Sequence, residues 1–356
     1  KEASESELDS DDDLVPYDLS NDVKTAIAKR PKYLRDLIEG FRDDNDVDIW
    51  LGSLEVCEEL IYKQLPEDDV TLGIDILDIL LCLERRVFCE NFDNLRFSSA
   101  VAVVVVYPEA GAQYLCKQFH EDIGKYSIAQ RMYMLDILSA SAKILSTPKD
   151  LNKQLDSTAL SIRSNRNEPD WYSVIQARIE SHTRKFCQPK KPPKLGVENK
   201  FANVAGFFLF PLLRGTGKTS PGIVYRANFE TSSKEESCLL FLRFLKTCAF
   251  IVACSVNSTA ATRMGKELME ATWSFRFHEE ARIREAVVGC LAAVVIAVPS
   301  SRLTTELLDE MIEARLWLDN VVGSHGVIGG QNCEVDDQCR AFAAQVSLLI
   351  GNALSK

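Results

Sequence analysis

The sequence predicts an all-α protein, an irregular α-solenoid of about a dozen helices behind an acidic tail, and three observations predict it. Apolar residues recur at steps of three and four along most of the chain, period-2 alternation is almost absent, and the helical stretches follow one another without a strict repeat. Many helices of 12 to 20 residues in succession point to stacked pairs of the HEAT type more than to a compact bundle.

Taken in order, residues 1–18 (KEASESELDSDDDLVPYD) are acidic and serine-rich with almost nothing to bury, so they are expected to be disordered when unbound. A helical piece near 23–41 comes next. Helical spacing then links Trp50, Leu54, Cys57 and Ile61, and again Val70, Ile74, Leu77 and Leu81. Pieces near 92–106 and 108–121 follow; Val101–Val106 is β-branched and has some strand propensity, but it continues a helical pattern from Leu95 and no partner strand is visible, so a buried helix is preferred. Ser127 and Gln130 form a capping box, after which Ile128, Met132, Leu135, Leu138, Ala142 and Leu145 trace one helix as far as Pro148.

Residues 147–200 read as polar or proline-rich linkers around a single helix near 171–186. Beyond them come helices near 201–213, 239–256 (Leu239, Leu242, Leu245, Ala249, Val252, Val256), 260–277 and 279–298. Another is expected along Leu303, Leu307, Met311, Ala314 and Leu318, and a last one along Val335, Cys339, Phe342, Val346, Leu349 and Ala353. Loops are expected at 214–236 and at 323–337, the latter glycine-rich. The expected organisation is therefore a tail (1–18), a first helical-repeat segment (19–146), the linkers (147–200) and a second helical-repeat segment (201–356).

Composition narrows the function. With 46% apolar and 26% charged residues, the chain is a globular type and not collagen, a disulfide miniprotein or wholesale disorder. Of the net charge of −11, residues 1–22 hold nine acids against Lys1, which leaves a near-neutral body, a poor electrostatic match for nucleic acid. Eleven cysteines, none in a CxxC pair, read as reduced thiols of a cytosolic or nuclear protein. The four histidines have no metal spacing, so neither metal nor cofactor is expected. The longest apolar run, Val287–Val298, is too short to span a bilayer. No signal peptide is expected, and since the chain does not open on Met an upstream part is expected to be missing.

Candidate chemistry is sparse. Gly215-Thr-Gly-Lys-Thr219 resembles the end of a phosphate-binding loop, but position 212 is Leu where a glycine is needed, and Ser220-Pro221-Gly222 follows where a helix should open. His120 and His278 sit beside acids as helix-end histidines, with no nucleophile in view. Arg184, Lys185, Lys190, Lys191 and Lys194 read as a solvated linker, with nuclear import as the other possibility. Phe207, Phe208, Phe210, Pro211 and Trp171 are candidate contact residues that are more often core.

The clearest mechanism lies in the tail. Ser10 stands in Asp9-Ser10-Asp11-Asp12-Asp13 and Ser6 has Glu5, Glu7 and Asp9 around it, the surroundings that acid-directed kinases recognise. Phosphorylation adds about −1.5 to −2 charges, and each charge-assisted hydrogen bond to a Lys/Arg pocket is worth roughly 1.5–3 kcal/mol. A linker that merely keeps the chain in solution is the equally weighted alternative.

Several segments, in order, then form a pattern: Leu8–Asp18, Arg30–Arg35, Gln130–Leu138, Phe201–Leu213, Val256-Asn-Ser-Thr259, Met264-Gly-Lys266, Trp273-Ser-Phe-Arg-Phe-His278 and Glu313-Ala-Arg-Leu-Trp317. Together they resemble the C-terminal half of the telomere length regulation protein family. The resemblance implies an α-solenoid, non-enzymatic subunit of the TTT co-chaperone complex, working in cytoplasm and nucleus with the TTI scaffold subunits. It implies that the complex stabilises phosphatidylinositol-kinase-related kinases of the TOR and ATM/ATR class. It also implies docking of phosphorylated Ser10, within Asp9, Asp11 and Asp12, onto the PIH-domain adaptor of the RuvB-like ATPase complex and so onto the heat-shock chaperone. The alternatives are a helical-repeat transport or nucleic-acid-associated factor, and a nucleotide-binding enzyme using Gly215–Thr219.

Overall fold

A computed structural model of the chain describes residues 29–43, 46–121, 125–147, 175–176, 179, 199–215, 234–323 and 334–355. The tail with Ser6 and Ser10, Trp171, the basic stretch 184–194, residues 216–219 and most of the glycine-rich loop lie outside these residues. Among the described residues there are thirteen α-helices, two 3-10 turns and no strand.

The helices are α1 (Leu34–Arg42), α2 (Val47–Gln64), α3 (Val70–Cys82), α4 (Phe92–Val106), α5 (Pro108–Phe119), α6 (Ile128–Ser146), α7 (Phe201–Arg214), α8 (Lys234–Cys254), α9 (Ala261–Thr272), α10 (Ala281–Ala297), α11 (Ser300–Glu306), α12 (Leu308–Val322) and α13 (Asp337–Leu354). They pack as two rows. In one row α2, α4, α6, α8, α10 and α13 touch in succession; in the other α1, α3, α5, α7, α9 and α11 do so. Successive helices across the rows form pairs, six in all when α11 and α12 together face α13, which is the arrangement of an α-solenoid.

Local signals set the ends. Ser127 Oγ accepts the Gln130 amide (3.2 Å) while the Gln130 side chain accepts the Ser127 amide (2.9 Å), so the capping box opens α6. Asp46, Asp69 and Asp336 cap α2, α3 and α13 in the same way, through one carboxylate each. Gly323 closes α12 at φ 74°, a conformation that glycine adopts without steric cost.

The β-branched run Val101–Val106 is the last turn and a half of α4, with Val101–Val104 buried between α2 and α6. Packing against both neighbours overrides the modest strand preference. α8 is long and apolar enough by length and composition to cross a bilayer. It is instead a central core helix against α6, α7 and α10, buried from Leu240 to Leu242 and from Phe244 to Leu245 and onward from Thr247 to Cys254. One continuous apolar core runs through both rows, and it takes in Ile175 and Ile179.

Three periodic patterns differ in detail from expectation. The stripe Leu303 to Leu318 is cut in two at Leu307, whose backbone leaves the helical region (φ −128°), yet all five residues are buried. Val335 precedes α13 and is 90% exposed, because the helix begins only after its Asp336 cap. Leu239 and Val70 are exposed; Val70 is the first residue of its helix, and Leu239 precedes the buried stretch of α8 that begins at Leu240.

Candidate interaction surface

The most chemically distinctive surface among the described residues lies where the end of α9 meets α12. After Thr272 the chain tightens into a 3-10 turn, Trp273–Phe277. Phe275 fixes this turn to the body by packing on Phe241 of α8, with ring centroids 4.6 Å apart. Ser274 and Phe277 of the turn are exposed, and Trp273 and Arg276 are half-buried. Arg276 donates to the Trp273 carbonyl (2.8 Å), and its guanidinium lies 4.5 Å from the Trp273 ring and 4.4 Å from the Phe277 ring. Phe277 is 68% exposed.

Toward α12, Trp273 donates its indole N–H to Glu313 (3.1 Å) and meets Trp317 edge to face at 5.7 Å. Two segments 40 residues apart in sequence thus form one cluster of Trp, Arg, Phe and Glu. Tryptophan and arginine held rigid and half exposed are the residue types that dominate the energetics of protein interfaces, and each cation–π contact adds about 0.5–1 kcal/mol at such a position.

A second cluster sits on α7 and α9. The guanidinium groups of Arg214 and Arg263 lie 5.0 and 4.9 Å from the Phe210 ring, and both ion-pair with Glu267. Of the apolar run singled out in the sequence, Phe208 is core, while Phe207 and Phe210 are half-buried. Gly215 ends α7 at φ 66° where a phosphate-binding loop would have to open a helix, and the rest of that motif lies outside the described residues.

Behind the surface, an ion pair holds the last two helices to the body. Arg284 of α10 meets Glu334 through two bonds, Nε to Oε2 (2.6 Å) and Nη2 to Oε1 (2.5 Å), and also donates to the carbonyls of His278 and Glu279. Glu334 in turn accepts the amides of Val335 and Asp336 and donates its own amide to the Val321 carbonyl. The guanidinium holds the Glu334 carboxyl below its usual range. The glycine-rich segment, to which no role was attached, therefore ends on a buried anchor.

His120 and the buried thiols serve packing. His120 closes α5 with Nε2 2.8 Å from the Leu212 carbonyl, and burial depresses its pKa. Burial pushes the Cys57 thiol up to about 12 and raises Cys116, Cys248 and Cys290 as well, so these sulfurs stay protonated and unreactive at neutral pH. Among the described residues no three metal-ligating side chains converge.

Sequence reasoning quoted Trp273–His278 and Glu313–Trp317 as landmarks without giving them a role. The usable signal was the doubling of apolar neighbours on α12, Leu307-Leu308, Met311-Ile312 and Leu316-Trp317-Leu318, which is more than one buried face requires.

Known proteins resemble this chain over nearly its whole length. A family model described as "Telomere length regulation protein" matches residues 31–142, the first three helical pairs. The mouse protein "Telomere length regulation protein TEL2 homolog" is 35% identical over 98% of this chain and 41% of its own length. The human protein of the same name is 32% identical over the same shares. The nematode "Telomere length regulation protein clk-2" is 27% identical over 42% of this chain and 16% of its own length. No solved structure matches. The chain spans about two fifths of the length of the vertebrate relatives it matches. By these matches over nearly its whole length, the chain belongs to the telomere length regulation protein family.

Proposed function

We propose that this chain is a non-enzymatic scaffold and adaptor of the TTT co-chaperone complex, in cytoplasm and nucleus. In this reading the helical body binds the TTI scaffold subunits. The tail, phosphorylated at Ser10 and supported by Ser6, binds the PIH-domain adaptor of the RuvB-like ATPase complex and so the heat-shock chaperone. The clients are phosphatidylinositol-kinase-related kinases of the TOR and ATM/ATR class.

One observation carries the proposal: an acidic Asp9-Ser10-Asp11-Asp12 motif stands ahead of a body of stacked helices in a member of this family. A stack of this kind leaves long faces free for large partners. A phosphoserine flanked by aspartates offers a Lys/Arg pocket three acceptor oxygens and concentrated negative charge. The buried, protonated thiols and the packed His120 support the absence of catalysis from the proposal.

The test compares proteins co-purifying with the wild-type chain and with a Ser6→Ala, Ser10→Ala variant, by quantitative mass spectrometry. Loss of the adaptor with the TTI subunits retained is the expected result. Equal recovery of the adaptor from both would refute tail docking, and absence of the TTI subunits from the wild type would refute the complex assignment.

A further inference from the structure

Helix α12 has two apolar faces and the fold uses one. Leu307 just ahead of it and Met311, Ala314 and Leu318 within it are fully buried. On the adjoining face, Leu308, Ile312 and Leu316 repeat at four-residue steps and are 40, 44 and 59% exposed. Residues at that spacing share one face of a helix. Leu348 of α13, the helix packed against α12, is 67% exposed as well. Single exposed leucines are ordinary, but a contiguous stripe at the end of a helical stack is the feature expected of a covered surface.

Charge decides what covers it. Asp309 and Glu313 are exposed on α12, three residues before Ile312 and Leu316 respectively, so they line one edge of the stripe, while Arg315, ion-paired with Asp319, stands on the other. Beyond the two acids stand Trp273 and Trp317. A second copy of this chain laid antiparallel on the stripe, as in a two-fold pair of crossed end helices, would set acids against acids. An anionic bilayer surface would be repelled by the same two acids. A helix that carries leucine-like residues every third or fourth position, with Lys or Arg along one flank, satisfies the stripe and its edge together. The aromatic rings beyond would then receive the stems of those basic side chains.

We infer that the outer face of α12 is a docking surface for a basic amphipathic helix of another protein. The site is separate from the tail, and it does not depend on which proteins the tail recruits.

The probes are two stapled helical peptides with the same leucine pattern, one flanked by lysine and one by glutamate, titrated by fluorescence anisotropy into the full-length protein. The lysine peptide is expected to bind roughly tenfold tighter, the ratio that two rim charge pairs supply. Replacing Asp309→Lys together with Glu313→Lys is expected to reverse that preference. Leu316→Asp is expected to abolish binding while leaving the melting temperature unchanged, since Leu316 is 59% exposed. Equal or absent binding of the two peptides overturns the inference. So does concentration-dependent self-association, or binding to phosphatidylserine vesicles, that Leu316→Asp removes.

Discussion

Changing Glu334→Gln tests how the last helices are held. The carboxylate is 5% exposed and its partner Arg284 21% exposed, so water screens the pair little. Breaking a buried pair by removing one charge costs about 3–5 kcal/mol. Arg284 keeps the carbonyls of His278 (2.6 Å) and Glu279 (2.8 Å), and glutamine keeps the volume and one acceptor. The expected loss is therefore smaller, about 2 kcal/mol, which corresponds to a fall of roughly 3 °C in melting temperature for a chain of this size.

The loss is also local. Hydrogen exchange at Val335 and Asp336, whose amides the carboxylate accepts, is expected to quicken, while α4 and α6 stay protected. Because the Glu334 pKa is lowered in the folded state, its contribution is present above its ordinary value near 4.5 and fades as pH falls through the lower folded value. The variant should lack that acid limb. A melting temperature within half a degree of wild type (~0.5 °C, well inside the shift expected from) with unchanged exchange at Val335 and Asp336 would refute the reasoning.

Three further outcomes follow from the core. Phe244 is fully buried and stacked on Phe119 at 5.8 Å, so Phe244→Ala is expected to cost about 3–5 kcal/mol in chemical denaturation. A Cβ on Gly265 would stand 2.9 Å from a Val294 methyl of α10, so Gly265→Val is expected to destabilise by about 1–3 kcal/mol through overpacking of α9 on α10, again read by denaturation. Burial lowers the His120 pKa, so its contribution is present above pH 6.5 and is lost as pH falls through the lower folded value; His120→Gln is expected to narrow the gap between melting temperatures at pH 7.5 and pH 5.5 (roughly one unit either side of the ordinary histidine value).

How much of this was legible beforehand can be argued from particular residues. The capping box at Ser127 and Gln130, the helix from Phe92 to Val106 and the burial of Trp50, Leu54, Cys57 and Ile61 are local matters of spacing and propensity, and they were readable. The tail motif around Ser10 was readable because an exposed charged peptide carries its chemistry in its own sequence. Helix ends were less so: Val335 fits the apolar period of α13 and yet lies outside it, because a single capping carboxylate overrides the pattern.

By itself, then, the sequence determined the helical class, the order of the helices and the acidic tail, since each depends on neighbours within a few residues along the chain. Tertiary structure alone decided which helices touch along each row and that α12 shows water one of its two apolar faces. It alone decided as well that Trp273 meets Glu313 and Trp317, and that Glu334 anchors on Arg284. The physical reason is distance along the chain. These partners stand 40 to 50 residues apart, and periodicity, which records only that a residue has an apolar or charged face, carries no record of what that face will meet.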